Sequence, residues 1–329
     1  MNTWLTQTFN IKHPIILAPM FLVSNEEMLL AASKAGIMGC IPALNWRTPE
    51  EFREGLLKIK EKCDGPYGVN LIVNKSNIHL QKQYEICEEL VPDFIITSLG
   101  SPEEVIKRLK PKGTKIICDV VDADYAKKVE SLGADAIIAV NSGAGGHAGN
   151  IPTSILVPML KKCTNLPVIS AGGIGTGSAL LSSLALGACG ASIGSPFIAC
   201  HESKVSNEYK QAIVDYGAGD IAMSTKISGT PCTVIKTPFV EKVGLTQNFI
   251  ESTLNKNKTL KKYVKMLTYY KGMKALETAA FSSTYKTIWC AGPSIEFVKN
   301  KESIETIVSR LVNEYKESLE KFKNEVMEK

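Results

Sequence analysis

Short apolar runs alternate with amphipathic segments through the first two thirds of the chain. The runs begin about 20 to 30 residues apart, which is the length of one strand–helix unit. They are apolar throughout instead of alternating with polar residues, as is typical of parallel strands covered on both faces. The predicted strands are Pro14–Ala18, Ile37–Ile41, Tyr67–Val73, Asp93–Thr97, Lys115–Asp119, Asp135–Val140, Leu166–Ser170 and Cys189–Ile193.

Start and stop signals for helices lie between these runs. Ser24 and Thr48 each precede a Glu by three residues, the spacing of a capping box, and Pro49 takes the first helical position. Gly36 and Gly133 stand where a helix should end, just before the next strand. Alternating strands and helices form either a closed barrel or an open doubly wound sheet. Eight units in about 200 residues favour the α/β fold of a (β/α)8 TIM barrel.

The pattern changes after Ile193. Residues 206–290 have no strong strand periodicity and include a basic cluster, Lys256–Lys262, so we interpret them as a mostly helical insertion after the eighth strand. From Ser303 the apolar residues follow helical spacing, which predicts an amphipathic helix that packs back on the barrel. The predicted domains are a barrel formed by residues 1–205 and 291–329 and an insertion formed by residues 206–290.

Composition narrows the function classes. Hydrophobic residues are 44% and charged residues 22% of the 329, which excludes a disordered or fibrous chain. A net charge of +5 permits anionic small ligands but is far from that of a nucleic-acid-binding protein. No uninterrupted apolar stretch reaches about 18 residues, so we expect no membrane span. None of the nine cysteines forms a CxxC pair and the first residues do not resemble a signal peptide, so we expect a reduced, cytoplasmic protein without a metal site.

Two glycine-rich turns follow the seventh and eighth predicted strands. The first, Ala171–Gly177, reads AGGIGTG and opens a helix, and the second begins at Gly194. Glycines at such places let backbone N–H groups approach an anion at a helix N-terminus, and the loops after these two strands hold phosphate in TIM barrels. Two ordinary tight turns are the alternative. The predicted phosphate-binding residues are Gly172, Gly173, Gly194 and Ser195.

A third glycine-rich loop contains one histidine. The segment Asn141–Gly149 reads NSGAGGHAG and follows the sixth strand, at the end of the barrel where active sites lie. The imidazole of His147 is therefore a candidate proton donor, proton acceptor or hydrogen-bond donor near neutral pH. The alternative is a structural histidine that caps the following helix or bonds to a carbonyl.

Other strand ends bring polar and soft side chains to the same mouth. Pro19 and Met20 follow the first strand, Asn70 lies in the third, Ser98–Ser101 follow the fourth, and Asp119 ends the fifth. Asn70 in an apolar strand needs hydrogen-bond partners, which either a neighbouring loop or a flat heteroaromatic ligand with amide edges would provide. Together with the phosphate loops, these residues fit a phosphorylated planar cofactor lying across the barrel mouth, and FMN is the simplest choice.

Five segments, in order, resemble the nitronate monooxygenase family, formerly called 2-nitropropane dioxygenases, which includes the flavin-dependent enoyl-acyl-carrier-protein reductases. The resemblance runs from about residue 10 to about residue 205 and returns weakly near residue 291. The segments are PIILAPM at 14–20, GVNL at 68–71, GGHAG at 145–149, PVISAGGI at 167–174 and LGA at 186–188.

The resemblance implies an FMN-dependent barrel whose insertion forms one wall of the substrate site. In the family, one electron passes from the nitronate to FMN before reaction with dioxygen, and His147 would serve as the base for neutral nitroalkanes or as a donor to the nitronate oxygens. By position, Pro19, Met20 and Asn70 would contact the isoalloxazine ring, and Gly172, Gly173, Gly194 and Ser195 would hold the phosphate. Asp119, Gly145 and Gly146 complete the predicted cofactor-binding set, and Gly146 and His147 would face the substrate.

The sequence departs from the commonest family pattern at three places. Gly143 stands where an acidic residue often precedes AGGH, Pro293 stands where a Gln often follows Ala-Gly, and Gly194–Phe197 reads GSPF in place of GTRF. These positions bear on the subfamily and therefore on the substrate.

Three functions remain open at this level. The first is an FMN-dependent nitronate monooxygenase that oxidises alkyl nitronates with dioxygen. The second is an FMN-dependent NAD(P)H reductase acting on enoyl-acyl-carrier-protein or quinones, which the basic cluster Lys256–Lys262 could serve. The third, a barrel that only binds a phosphorylated ligand, does not require the titrating group that His147 supplies. The expected partners are a small-molecule substrate with dioxygen or NAD(P)H, without nucleic acid or membrane, and a homodimer is compatible with the sequence.

Overall fold

Eight parallel strands close into a barrel in the computed structural model of the protein, which describes residues 1–74, 77–225, 231–245 and 288–327. Each of the eight predicted strands is confirmed, with ends within two residues of those expected, and the α/β TIM-barrel fold is confirmed with them. The barrel strands are β1 (Ile15–Leu17), β2 (Met38–Pro42), β3 (Tyr67–Ile72), β4 (Phe94–Ser98), β5 (Lys115–Val120), β6 (Ala136–Val140), β8 (Val168–Ala171) and β9 (Gly190–Ile193). Outside the barrel lie β7 (Gly146–His147), β10 (Ile221–Ser224) and β11 (Cys232–Ile235).

The barrel closes because β9 pairs in parallel with β1, so that Ile15 lies opposite Ala191 and Leu17 opposite Ile193. Helices alternate with the strands and cover the outer face of the barrel. The described helices are α1 (Trp4–Phe9), α2 (Glu26–Lys34), α3 (Pro49–Lys62), α4 (Leu80–Leu90), α5 (Glu103–Leu109), α6 (Ala123–Ser131), α7 (Thr153–Cys163), α8 (Gly177–Ala185), α9 (Asn207–Asp215), α10 (Pro238–Val243) and α11 (Ile304–Phe322).

Of two helix N-caps that the sequence predicted, one is confirmed and the other is one residue away. Thr48 caps α3 as predicted, and its Oγ1 accepts from the backbone N–H of Glu51 at 3.1 Å. The cap of α2 is Asn25 instead of the predicted Ser24. Ser24 is one residue too early because its hydroxyl bonds the turn after β1.

Helix α1 closes the amino-terminal end of the barrel. Its Leu5 and Phe9 are buried together with the inward-facing residues of the strands, and the rings of Phe9 and Phe94 meet edge to face at 5.4 Å. Burying an aromatic side chain of this kind contributes about 1.5–3 kcal/mol. Apolar side chains therefore fill the interior of the barrel at this end.

The C-terminal helix α11 begins after Ser303, as predicted, and packs against α8 and α2. The first half of the apolar face that was predicted from its spacing is buried, including Ile304, Ile307 and Leu311, whereas Phe322 at its end is exposed. The two helices approach so closely that a Cβ atom on Gly177 would lie 2.1 Å from the nitrogen of Tyr315.

The described part of residues 206–290 contains two strands that the sequence did not predict. Strands β10 and β11 form an antiparallel hairpin, and β11 pairs on its other side with β7. Each strand of the hairpin has four residues, too few to show a period of two. The rest of the predicted insertion, with the basic cluster Lys256–Lys262, lies outside the described residues, so the predicted domain boundaries stay a prediction. No helix in the described part of the chain is both long and apolar enough to cross a membrane.

Candidate active site

A cavity of about 550 Å³ lies at the carboxyl ends of the barrel strands. This volume falls in the range of about 300–1,000 Å³ that is usual for cofactor and ligand sites. The structure brings every candidate site residue from the sequence to this one cavity. The lining residues include Pro19, Met20, Asn70, Asp119, Gly145, Gly146, His147, Gly172, Gly173, Gly194 and Ser195.

The turn after β1 is held by the hydroxyl of Ser24. Its Oγ accepts from the backbone N–H of Met20 at 2.9 Å and donates to the carbonyl of Ala18 at 3.0 Å. Across the cavity floor, a Cβ atom on Gly194 would lie 3.3 Å from the sulfur of Met20. The Pro19–Met20 edge is therefore fixed against the loop after β9.

The turn after β8 has a backbone that only glycine adopts easily. Gly172 has a φ of +114° and Gly173 a φ of +73°, in the left-handed region that favours glycine. A Cβ atom on Gly172 would lie 2.4 Å from the nitrogen of Ala144, whereas no atom lies within 4 Å of the Cβ position of Gly173. Gly173 therefore presents bare backbone to open space in the cavity.

The N-terminus of α8 is not the anion site that the sequence suggested. The backbone N–H of Gly177 donates to Oε2 of Glu314 at 2.7 Å, so a carboxylate from α11 already lies at this helix end. Within the turn, Gly172, Gly173 and Ile174 line the cavity, whereas Gly175–Gly177 do not. The candidate phosphate site is thereby narrowed to Gly172 and Gly173 together with the loop after β9.

Ser195 faces this turn with its hydroxyl group oriented by the backbone. Its Oγ accepts from the N–H of Gly292 at 2.8 Å. A hydroxyl has one proton, so that proton remains available to donate to an anion. A Cβ atom on Gly145 would lie 2.9 Å from both Ser195 Oγ and the nitrogen of Gly292, which explains why this position is glycine.

His147 lies at the cavity rim on β7. The pairing of β7 with β11 places it opposite Cys232, and Thr233 fixes the loop by donating from Oγ1 to the carbonyl of Ala144 at 2.9 Å. Although the residue is exposed at the rim, the surrounding protein partly desolvates the ring, which lowers the pKa of the imidazole below its usual 6.5. The ring is therefore mainly neutral at pH 7.

Three polar side chains form a row across β3, β4 and β5. Asn70 Nδ2 donates to Ser98 Oγ at 2.8 Å, and Ser98 Oγ donates to Asp119 Oδ2 at 2.5 Å. Burial raises the pKa of the Asp119 carboxyl to about 6, although the hydrogen bond from Ser98 acts in the opposite direction. The carboxylate of Asp119 is thus held where burial disfavours its negative charge.

Sequence reasoning gave no role to Cys232 or Cys290, which also line the cavity. Ser98, which was singled out with Asp119 by its place at a strand end, lines the cavity too. The sulfurs of Cys232 and Cys290 lie 3.6 Å apart in the cavity wall, but 58 positions separate them in the chain. No local pattern reveals such a contact.

Comparisons with known proteins identify the family of the chain. A model of a family described as nitronate monooxygenase matches residues 2–314. The chain belongs to the nitronate monooxygenase family. The family and the fold that the sequence indicated are therefore both confirmed, and the chain is an oxidoreductase.

Two curated relatives carry different names. A Rhodococcus jostii protein named (3aS,4S,5R,7aS)-5-hydroxy-7a-methyl-1-oxo-octahydro-1H-indene-4-carboxyl-CoA dehydrogenase is 32% identical over 241 residues, covering 73% of this chain and 67% of the relative. A probable nitronate monooxygenase of Staphylococcus saprophyticus is 30% identical over 289 residues, covering 74% of this chain and 81% of the relative.

Two solved structures share the fold over nearly the whole chain. FabK from Thermotoga maritima superposes with a TM-score of 0.87 at 28% identity, covering 99% of this chain and 100% of that one. A nitroalkane oxidase from Streptomyces ansochromogenes has a TM-score of 0.78 at 21% identity, covering 97% and 99%, and at this identity it shows the fold alone.

The raised pKa of Asp119 makes a prediction about stability without ligand. The folded carboxyl titrates near 6 and the unfolded one near 3.8, so wild-type stability falls as the pH rises through this interval. We expect Asp119→Asn, which removes the charge but still accepts from Ser98, to gain up to about 3 kcal/mol at pH 8 and progressively less toward pH 4. Urea unfolding measures this gain.

The exposed Asp124 in the first turn of α6 provides the matched control. Asp124→Asn should change stability by less than about 0.5 kcal/mol at either pH. An Asp119→Asn variant that is no more stable than wild type at pH 8 would show that the carboxylate is not destabilising.

Proposed function

We propose that this chain is an FMN-dependent nitronate monooxygenase that oxidises alkyl nitronates with dioxygen. The observation that carries the proposal is the convergence of a bare glycine turn, an amide-bearing strand and a histidine on a single cavity. Membership of the nitronate monooxygenase family supports the same activity.

The residues of the cavity fit FMN. The open space at the Cβ position of Gly173 leaves room for a phosphate, and the hydroxyl proton of Ser195 is left to donate to it, whereas the N–H of Gly173 is already given to the carbonyl of Gly143. At the opposite side, Pro19, Met20 and Asn70 offer a flat edge with one amide for the isoalloxazine ring. When bound, FMN would supply the electron acceptor and the reaction with dioxygen.

His147 would accept a proton from the substrate or donate a hydrogen bond to it. Its neutral imidazole can accept the proton from the carbon next to the nitro group of a neutral nitroalkane, or donate its N–H to an oxygen of a nitronate. The pairing of β7 with β11 holds its backbone at the rim. Buried apolar side chains that line the cavity would limit the access of water to the reacting groups, among them Ile138, Ile174 and Ile193.

An FMN-dependent reductase using NAD(P)H is the second candidate. The chain matches FabK from Thermotoga maritima along its whole length, and the Rhodococcus jostii relative is named a dehydrogenase of a carboxyl-CoA compound. An enoyl thioester or a quinone would then replace the nitronate, and NAD(P)H would replace dioxygen as partner. The cytoplasmic location and the homodimer stay predictions under either activity.

An anaerobic absorbance experiment separates the two candidates. The purified chain, loaded with FMN, is mixed with an alkyl nitronate in one cuvette and with NADH or NADPH in another. We expect the nitronate to bleach the flavin bands and the nicotinamides to leave them unchanged, because the proposed reaction takes its electrons from the nitronate. Rapid bleaching by a nicotinamide alone would establish the reductase instead, and a chain that cannot be loaded with FMN would exclude both.

The phosphate assignment predicts a specific loss of FMN affinity. Gly173→Asp places an anion against the phosphate and should weaken FMN binding by about tenfold or more. Gly113→Asp is the matched control, because Gly113 also has a positive φ, +96°, with no atom within 4 Å of its Cβ position, but lies away from the cavity. Both variants should lose about 1 kcal/mol of stability from backbone strain. Equal FMN dissociation constants, measured by flavin fluorescence, would refute the phosphate site.

The role of His147 predicts a difference between two substrates. His147→Gln should keep FMN but lower kcat/KM for a neutral nitroalkane by about 100-fold or more, with a smaller loss for the preformed nitronate. In the wild type, kcat/KM for the neutral substrate should fall as the pH drops through a pKa below 6.5, because a protonated imidazole cannot accept a proton. Steady-state rates over a pH series test both statements, and unchanged rates with both substrates would remove His147 from the mechanism.

A further inference from the structure

The row of polar side chains across β3, β4 and β5 has a fixed direction. The amide nitrogen of Asn70 has two protons, and both are used inside the protein, one by the carbonyl of Ile96 at 3.1 Å and one by Ser98 Oγ at 2.8 Å. A backbone carbonyl can only accept a hydrogen bond. The atom of Asn70 that faces Ile96 must therefore be Nδ2, which settles the orientation of the amide.

Asp119 decides the role of Ser98. An ionised carboxylate only accepts, so the single hydroxyl proton of Ser98 is given to Asp119 Oδ2. Ser98 Oγ can then only accept from Asn70. Turning the amide over would place Asn70 Oδ1 against two acceptors, Ile96 O and Ser98 Oγ, so the ionised Asp119 holds the amide through Ser98.

The loop that follows β4 keeps Ser98 in place. Leu99, the next residue, has a φ of +61°, which for a residue with a side chain costs about 1 kcal/mol or more. The hydroxyl of Tyr125 donates to the carbonyl of Gly100 and anchors this strained loop. Strain of this kind persists only where the surroundings hold the backbone, which here places Ser98 between Asn70 and Asp119.

The side-chain oxygen of Asn70 is the remaining polar atom of the row. Asn70 lines the cavity and is 7% exposed, and no donor in the described part of the chain reaches its Oδ1. This oxygen is not among the buried side-chain atoms that lack a partner, so it is accessible from the cavity, where a ligand is placed to supply a donor.

We infer that Ser98 and Asp119 are positioning residues that lock Asn70 so that its Oδ1 is a dedicated acceptor for an N–H group of the bound ring. The inference rests on the proposed binding of FMN and deepens it. The oxidised isoalloxazine ring has one N–H, at N3, and the reduced ring gains another at N5. All other polar atoms on the edge of the oxidised ring are acceptors, which a fixed Oδ1 repels.

The test compares FMN with 3-methyl-FMN, which lacks the N3–H. Dissociation constants for the apoprotein are measured by flavin fluorescence. We expect wild type to bind FMN about tenfold more tightly than 3-methyl-FMN, the effect of one hydrogen bond to a largely buried acceptor. Ser98→Ala and Asp119→Ala leave the carbonyl of Ile96 as the remaining group that opposes a turned amide, so this preference should fall, whereas Ser98→Thr retains the hydroxyl and should keep it.

Ser170→Ala is the matched control. Ser170 is another buried serine on a barrel strand, its hydroxyl has no hydrogen-bond partner among the residues that the structure describes, and it does not line the cavity. Ser170→Ala should leave the ratio of the two dissociation constants unchanged. An equal change of this ratio in Ser170→Ala and in Ser98→Ala would instead indicate a general effect of losing a buried hydroxyl.

The midpoint potential of bound FMN is the second readout, for the case that the dissociation constants show no preference for FMN over 3-methyl-FMN. If Oδ1 meets the N–H that forms at N5, the midpoint potential of bound FMN should fall in Asn70→Ala and Ser98→Ala relative to wild type, because the reduced ring loses its acceptor. Either the binding preference or the potential shift supports the inference. FMN binding with neither effect overturns the inference alone, whereas failure to bind FMN at all overturns the proposed function as well.

Discussion

The turns after β6 and β8 and the segment at Gly292 pack against each other at the mouth of the barrel at backbone distance. A Cβ atom on Gly172 would lie 2.4 Å from the nitrogen of Ala144, and one on Gly292 would lie 2.8 Å from the carbonyl oxygen of Gly143. Nothing larger than a hydrogen fits at these positions, and the side chains of Asn141 and Ser195 hold the turns by hydrogen bonds to Gly172 and Gly292. The bare turn at Gly173 and the oriented hydroxyl of Ser195 both follow from this close approach.

The end of the barrel at the carboxyl ends of the strands carries groups that are unfavourable for the stability of the fold. Asp119 is ionised at neutral pH in a place that raises its pKa to about 6, and Leu99 has a left-handed backbone. The opposite end is filled by α1 and by apolar residues, where Phe9 meets Phe94. Strain also occurs away from the cavity, since Val91 has a left-handed φ of +49°, but at the cavity a ligand can compensate for the strain and the unfavourable charge.

The sequence was most informative where structure follows from local pattern. Parallel strands covered on both faces are uniformly apolar, so the eight barrel strands and their order could be predicted, and with them the strand ends that carry Asn70, Asp119 and His147. What failed depends on contacts distant in sequence. The carboxylate of Glu314 at the N-terminus of α8 comes from a residue 137 positions away, and the four-residue strand β11 is recognisable as a strand only through its pairing with β7 and β10.

The departures from the family pattern gain a physical meaning from the packing of the turns. A Cβ atom on Gly143 would lie 2.9 Å from the nitrogen of Gly173, so the acidic residue that often stands at this position in the family would displace the turn proposed to hold the phosphate. In this chain the loop after β6 instead approaches the loop after β8 directly, and the carbonyl of Gly143 accepts from the N–H of Gly173 at 2.9 Å. The glycine at 143 is thus coupled to the glycine at 173. The change at this position therefore alters how the mouth of the barrel is closed, while the cavity-lining position of His147 is retained.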